Sequence, residues 1–340
     1  MSERPIAAVL AAPDKFRGTA SATEVADAIA SAVAEFGLRC IRLPLADGGE
    51  GLLDAFGGPN RSTEVTGPLG SPVVAGWRLN DDRTAVIESA LASGLILAGG
   101  PSGNDAVTAT SRGTGQLIVA AVAAGARRII VGLGGSATTD GGRGAVDVLA
   151  SHAPVAGTGT GRELIVCCDV TTAYVDAARV FAPQKGASPD DVALLTRRLE
   201  DEAESLRNRF GKDVRDLPGS GAAGGLAGAL AALGATLVSG FTLVAHELGL
   251  EAAIEKADLI VTGEGMLDAQ SFNGKVVGGV VEMGEAAGVP VLVIAGAVAQ
   301  APPPGVVAVS MTARFGRAAS MGYPLSCVHT IVKEYLERVR

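Results

Sequence analysis

Five polar, glycine-rich clusters interrupt an otherwise apolar chain, and their residue types suit the binding of anions and the transfer of charged groups. The first, Ala12-Pro13-Asp14-Lys15-Phe16-Arg17-Gly18-Thr19, sets one carboxylate and two cations between a predicted strand and a predicted helix. Cations beside a helix N-terminus make an anion site. A solvated loop with an internal Asp14–Lys15 ion pair is the plainer reading, and the second cation and Gly18 weigh for function. The second, Ala46-Asp47-Gly48-Gly49-Glu50-Gly51, follows a predicted strand directly. Its glycines let the backbone approach a ligand while Asp47 and Glu50 supply carboxylates, and Asp47 serves equally well as a helix N-cap.

The third cluster runs from Gly132 to Gly142, where backbone N–H groups with Ser136, Thr138 and Thr139 can cradle phosphate oxygens. Gly132 to Ala137 also fits G-x-G-x-x-A, so a dinucleotide turn competes. That match is weak, because no acid ends a second strand about 20 residues on. In the fourth, Phe181-Ala182-Pro183-Gln184-Lys185-Gly186-Ala187, Lys185 is a phosphate ligand or an ordinary surface lysine. Asp169, at a preceding strand end, is a Mg2+ ligand or a cap. The fifth runs from Asp258 to Lys275 and carries Glu264, Asp268 and Lys275 in a glycine-hinged loop. Val276 follows Gly274-Lys275 where a P-loop needs Ser or Thr, so a nucleotide would bind in another manner. A further turn, Pro218 to Gly225, opens an Ala-rich segment and suits either close helix packing or anion binding.

Such clusters need strands to place them. Ligand sites of open α/β sheets lie beyond the carboxyl ends of strands, so the clusters are expected to meet in one cleft. Apolar runs rich in β-branched residues alternate with Ala-rich segments of helical period, the pattern of a parallel or mixed sheet covered by helices. Predicted strands are Ile6–Ala11, Cys40–Leu45, Arg83–Glu88, Arg128–Leu133, Glu163–Cys168, Leu259–Thr262, Val289–Ile294 and Val306–Ser310. Ser21 and Glu24 form a capping box ahead of Val25, Ile29 and Val33. The charged stretch from Ser188 to Phe210 predicts a solvent-facing helix opened by Ser188-Pro189-Asp190.

At 340 residues and 48% hydrophobic content, two α/β domains are expected. Turn-rich places at Gly67–Pro72 and 296–305 are the candidate domain boundaries. A net charge of −8 disfavours nucleic acid and anionic membranes as partners. The start of the chain lacks a signal-peptide pattern, which predicts a cytoplasmic protein. The uncharged stretch from Gly221 to Gly240 is Ala- and Gly-dominated and reads as a turn, a packed helix and a short strand, not a membrane span. Cys40, Cys167, Cys168 and Cys327 show no metal-ligand spacing with the three histidines and read as reduced core residues.

Taken in order, APDKFRGTASATEVADAI, PLADGGEGLLDAF, TSRGTGQLIVAAVAAGARRIIVGLGGSATTDGG, CDVTTAY, FAPQKGAS, PGSGAAGGLAGAL and ADLIVTGEGMLDAQSFNGK resemble the successive blocks of the bacterial glycerate kinase family of the glyoxylate and glucarate pathways. The resemblance implies ATP- and Mg2+-dependent phosphorylation of glycerate, in most such enzymes at the 2-position. It also implies two α/β domains, one flavodoxin-like and built from both chain ends at about 1–70 with 290–340, the other inserted at about 71–289 with a mixed sheet, with the active site in the cleft between. The family's usual first block is Asp-Ser-Phe-Lys-Gly, so Lys15 and Arg17 differ from it. Met266 and Ala269 stand where Arg and Gly are usual, and the connection at 152–162 is short.

Phosphoryl transfer needs positioning, charge neutralisation and a carboxylate to receive the hydroxyl proton. The expected roles are Asp268 as base, with Asp47 the alternative; Asp14, Lys15, Arg17 and Glu50 around the substrate; and Gly134, Gly135, Ser136, Lys185 and Lys275 around the phosphates. Asp169 or Glu264 would hold Mg2+. A monomer or homodimer is expected. A non-catalytic sensor of a sugar acid or nucleotide, a kinase of a related hydroxy acid, and a nicotinamide dehydrogenase built on Gly132–Ala137 stay open as alternatives.

Overall fold

The computed structural model describes residues 5–152, 160–272, 274–300, 302–303 and 305–339. Asn273 of the fifth cluster, part of the short connection at 152–162 and part of the turn at 296–305 lie outside them. The strands are β1 Ala8–Ala11, β2 Arg39–Arg42, β3 Arg61–Thr66, β4 Pro72–Leu79, β5 Thr84–Glu88, β6 Arg128–Gly132, β7 Glu163–Cys167, β8 Thr236–Val238, β9 Leu259–Leu267, β10 Val291–Val298 and β11 Val307–Ser310. The chain forms two compact units, one from 1–47 and 241–340, the other from 48–240. The sequence reading had set the junctions near 70 and 290.

In the first unit five strands lie in the order β11-β10-β9-β1-β2. Every pairing is parallel, with Val9 opposite both Cys40 and Leu259, and Leu292 opposite Val261. Read from β2, this is the 2-1-3-4-5 order of flavodoxin-like sheets. The helix Ala22–Ala34 connects β1 to β2, and its Ser21–Glu24 capping box is formed from both sides. Val25, Ile29 and Val33, spaced by four, put one apolar stripe on the sheet. The C-terminal helix Pro324–Val339 adds Val328, Ile331, Val332 and Leu336 to the same core. Gly263 in β9 is obligatory for packing: a Cβ there would collide with the carbonyl oxygen of Ile294 on the next strand.

The second unit holds a six-stranded mixed sheet, β3-β4-β5-β6-β7-β8. Strands β3, β4 and β5 pair antiparallel and the remaining strands parallel. The predicted strands omit β3 and β4. Edge strand β3 carries Arg, Ser, Thr and Glu, and β4 starts at Pro72, is interrupted by Gly76 and Arg78 and leaves Val74 exposed, so neither reads as the apolar run of a buried parallel strand. The turn Gly67–Pro72, a candidate boundary from sequence, joins these two strands, with the Gly67 N–H donating to the Ser71 carbonyl at 2.7 Å. Gly221 to Gly240 contains a glycine turn, the helix Leu226–Ala232 and β8, as expected.

The long helix Pro189–Phe210 begins at a Ser188–Asp191 capping box and buries Leu195, Leu199, Ala203 and Leu206. These pack with Tyr174, which is 0% exposed and donates its hydroxyl to the Gly141 carbonyl at 2.6 Å. All four cysteines are free thiols. Among the described residues no helix is long and apolar enough to cross a membrane.

Tyr174 ties the end of the third cluster to this core. Removing its hydroxyl by Tyr174→Phe leaves a buried carbonyl without its donor, and should cost about 1–3 kcal/mol of stability. Urea unfolding followed by the fluorescence of Trp77, the sole tryptophan, should show a lower midpoint with an unchanged slope.

Candidate active site

Beyond β1 the chain keeps bonding along β9, with Ala12 N–H to the Val261 carbonyl and Asp14 N–H to the Gly263 carbonyl, both at 2.9 Å. That continuation sets Asp14 at the carboxyl end of the sheet beside Glu264. The loop then doubles back around Phe16, whose ring is 1% exposed. Gly265 faces it so closely that an added Cβ would sit 3.1 Å from the Arg17 nitrogen.

Lys15 Nζ lies 3.7 Å from Asp14 Oδ1 and 3.9 Å from Asp47 Oδ1, so one cation bridges the first cluster and the start of the second. Asp47 is not a helix cap; Gly51 occupies that position before the helix Leu52–Ala55. Burial pushes the Asp14 carboxyl up to about 6 against the pull of Lys15, with Asp47 raising it and Lys275 lowering it. Burial likewise pushes Glu264 up to about 7, opposed by its bond with Ser271 and by Lys275, and reinforced by Asp14 and Asp268. These couplings join Asp14, Lys15, Asp47, Glu264, Asp268 and Lys275 in one charged cluster. Arg17 stands exposed beside it.

Within the fifth cluster Asp268 shapes its own loop. Its Oδ1 accepts the N–H groups of Gln270 at 2.8 Å and Ser271 at 3.3 Å, and its own N–H donates to Ser271 Oγ at 2.9 Å. Lys275 is the residue before the helix Val276–Ala287. Glu264 Oε1 is buried and has no hydrogen-bond partner among the described residues.

In the second unit the second and third clusters lie back to back. A Cβ on Gly134 would come within 2.8 Å of the Gly49 Cα and 3.1 Å of the Glu50 nitrogen, so only glycine allows this approach. Glu50 itself is exposed. Gly135 accepts the Leu95 N–H through its carbonyl at 2.8 Å, and Ala137 donates its N–H to the Ser93 carbonyl at 2.9 Å. Ser136 is 8% exposed and Lys185 4%. Lys185 is no surface residue: its ammonium donates to Ser136 Oγ at 3.0 Å and to the Thr138 carbonyl at 2.6 Å. Burial pulls its pKa down to about 8, with Asp140 opposing. Gly134, Gly135, Ser136 and Lys185 are thus one assembly. Asp169 instead accepts the Gly240 N–H through Oδ1 at 2.9 Å, at the start of the helix Gly240–Leu248.

Three structural partners escaped the sequence reading. Glu88 ends β5, and its Oε1 accepts the N–H groups of Gly51 at 3.1 Å and Leu53 at 2.7 Å, fixing the second cluster. Asn104 Nδ2 donates to the carbonyls of Ala137 at 3.1 Å and Lys185 at 2.8 Å. Asp140, quoted within the third cluster but given no role, accepts from Ser111 N–H and Oγ, Gly142 N–H and Gly144 N–H. A carboxylate closing the apolar run Thr84–Glu88 was the available signal for Glu88; Asn104 offers none in one dimension.

Asp169 and Glu264, the two carboxylates considered for a cation, belong to different units. Among the described residues no group of three or more His, Cys, Asp and Glu forms a metal cage.

The family profile described as Glycerate kinase family matches residues 9–156 and 150–320. The chain is 41% identical to the Glycerate 2-kinase of Escherichia coli K12, with 85% of this chain and 84% of that one covered. It is 39% identical to the Glycerate kinase of Bacillus subtilis 168, covering 86% and 85%. A crystal structure provisionally described as glycerate kinase 2, from Salmonella typhimurium LT2, superposes with a TM-score of 0.82 at 35% identity over 98% of both chains. Profile, sequence and fold agree over most of the chain: it belongs to the glycerate kinase family and is a kinase, not a nicotinamide dehydrogenase.

Proposed function

We propose that this kinase transfers the terminal phosphoryl group of ATP to the 2-hydroxyl of D-glycerate, releasing 2-phosphoglycerate and ADP, in the cytoplasm. The observation that carries the reading is the charged cluster of the first unit, where Lys15 and Lys275 stand among Asp14, Asp47, Glu264 and Asp268. A hydroxy acid has two ends, an anion to be clamped and a hydroxyl to be deprotonated, and this cluster offers cations and carboxylates together. The name of the 41% identical Escherichia coli relative, Glycerate 2-kinase, supports the choice of hydroxyl.

In this reading Lys15 and Arg17 clamp the carboxylate of glycerate, with Asp14 orienting Lys15 and Glu50 contributing to the substrate pocket. Asp268 receives the hydroxyl proton, with Asp47 the alternative, as the glycerate oxygen forms its bond to phosphorus and the bond from phosphorus to the ADP oxygen breaks. Gly134, Gly135, Ser136 and Lys275 hold phosphate oxygens, and Lys185 adds its positive charge to the phosphate site. The residues present fit Mg2+ as well: Glu264 Oε1 is a buried oxygen without a protein donor, and Mg2+ is commonly held by one or two carboxylates with phosphates and waters. Glu264 would hold the ion, with Asp169 the other candidate. When bound, Mg2+ neutralises phosphate charge.

Purified protein given ATP and D-glycerate should release ADP in a coupled assay, and phosphorus NMR should assign the product to the 2-position. Binding without ADP would instead make the protein a sensor and end this reading. Asp268→Asn keeps an amide oxygen for the Gln270 and Ser271 N–H groups, so the loop survives. Its turnover should fall by about 100-fold or more, the scale of general-base loss; near-normal turnover would remove Asp268 from the reaction. Lys15→Met should raise the KM for glycerate by about 10-fold or more, the loss of a charge-assisted contact. Its KM for ATP should change far less.

A further inference from the structure

A lysine ammonium has three N–H donors, and the two that Lys185 uses go to neutral oxygens, Ser136 Oγ and the Thr138 carbonyl. No carboxylate among the described residues lies within ion-pair distance of it. The charged group that bears on it is Asp140, whose oxygens already accept four donors from Ser111, Gly142 and Gly144. A cation that is 4% exposed and has only neutral oxygens for company is costly, and the cost falls when an anion arrives. The lysine is also rigidly held, since Asn104 Nδ2 joins its carbonyl to that of Ala137.

Ser136 supplies the second observation. Its Oγ accepts the Lys185 N–H, and its own hydroxyl proton has no acceptor among the described residues, although the residue is 8% exposed. An unspent O–H donor, polarised by an ammonium behind it, therefore sits in the glycine turn.

We infer that Lys185 is a positioning residue that never touches the ligand: its charge reaches a bound phosphoryl oxygen through the Ser136 hydroxyl, while its bond to the Thr138 carbonyl fixes the loop. This rests on the reading of residues 134–136 as phosphate-binding and deepens it by making the Lys185 contact indirect. Because burial holds the ammonium near the end of its protonated range, at about 8, the relay is charged at neutral pH and discharged in alkali. Affinity for polyphosphate should fall across that interval.

The test is calorimetric binding of ATP and of inorganic tripolyphosphate at about pH 7.5 and about pH 9.5, an interval in which any ligand deprotonation adds negative charge and favours binding while a group titrating near 8 loses its charge. Wild-type affinity for both should drop by about fivefold or more on the alkaline side. Lys185→Met should bind weakly at both pH values and show no such drop. Lys185→Arg, which cannot deprotonate, should bind without pH dependence and more tightly than Lys185→Met, an outcome that a purely packing role does not give. Ser136→Ala should flatten the dependence with Lys185 in place. Should Trp77 fluorescence show Lys185→Met to be unfolded, Ser136→Ala decides alone.

The inference is overturned if Lys185→Met or Ser136→Ala keeps the full alkaline loss, or if the wild type binds neither polyphosphate. Tripolyphosphate binding with the expected pH dependence but no ADP from glycerate would overturn the substrate reading and leave this inference standing. ADP formation with an alkaline loss that survives in Lys185→Met would do the reverse.

Discussion

Loops at the carboxyl ends of strands have left the hydrogen-bond ladder, and every N–H and carbonyl they bury must find another partner. In the second unit buried polar side chains meet that requirement. Asp140 accepts four donors at the turn between β6 and the helix Arg143–Ala150, and Glu88 takes the N–H groups of Gly51, the last residue of the second cluster, and of Leu53 just beyond it. Lys185 supplies the opposite polarity to Ser136 and Thr138. Remove these groups and the glycine turn has no reason to hold one shape.

The glycines and the buried polar groups are two halves of the same design. Glycine at 134 lets the third cluster press against Gly49 and Glu50 with no side chain between, so the second cluster is held by backbone contact and by Glu88 together. The turn from Gly219 to Gly225 works the same way. A Cβ on Gly224 would strike the Thr138 carbonyl, and the Gly141 N–H donates to the Gly224 carbonyl at 3.0 Å. Close packing, one of two readings open from sequence, accounts for those glycines.

The first unit solves a different problem, that of keeping four carboxylates near two lysines at the end of a parallel sheet. Burial raises Asp14 and Glu264 toward neutrality, and Lys15 and Lys275 pull the other way. Lys15 stands between Asp14 and Asp47 and faces both carboxylates. Met266 is 50% exposed and adds no charge to the cluster.

By itself the sequence determined the features whose cause is local. The capping boxes at Ser21 and Ser188, the apolar stripe Val25-Ile29-Val33 and the buried parallel strands all follow from residues within a few positions of one another. The ordered polar blocks determined the family. Tertiary structure alone decided that Gly67–Pro72 is a hairpin turn, that Asp47 pairs with Lys15 instead of capping a helix, and that Lys185 is buried against Ser136, 49 positions away. Caps and helical stripes are short-range geometry, written in spacing. An ion pair or a buried ammonium depends on which strand ends become neighbours, and no one-dimensional pattern contains that distance.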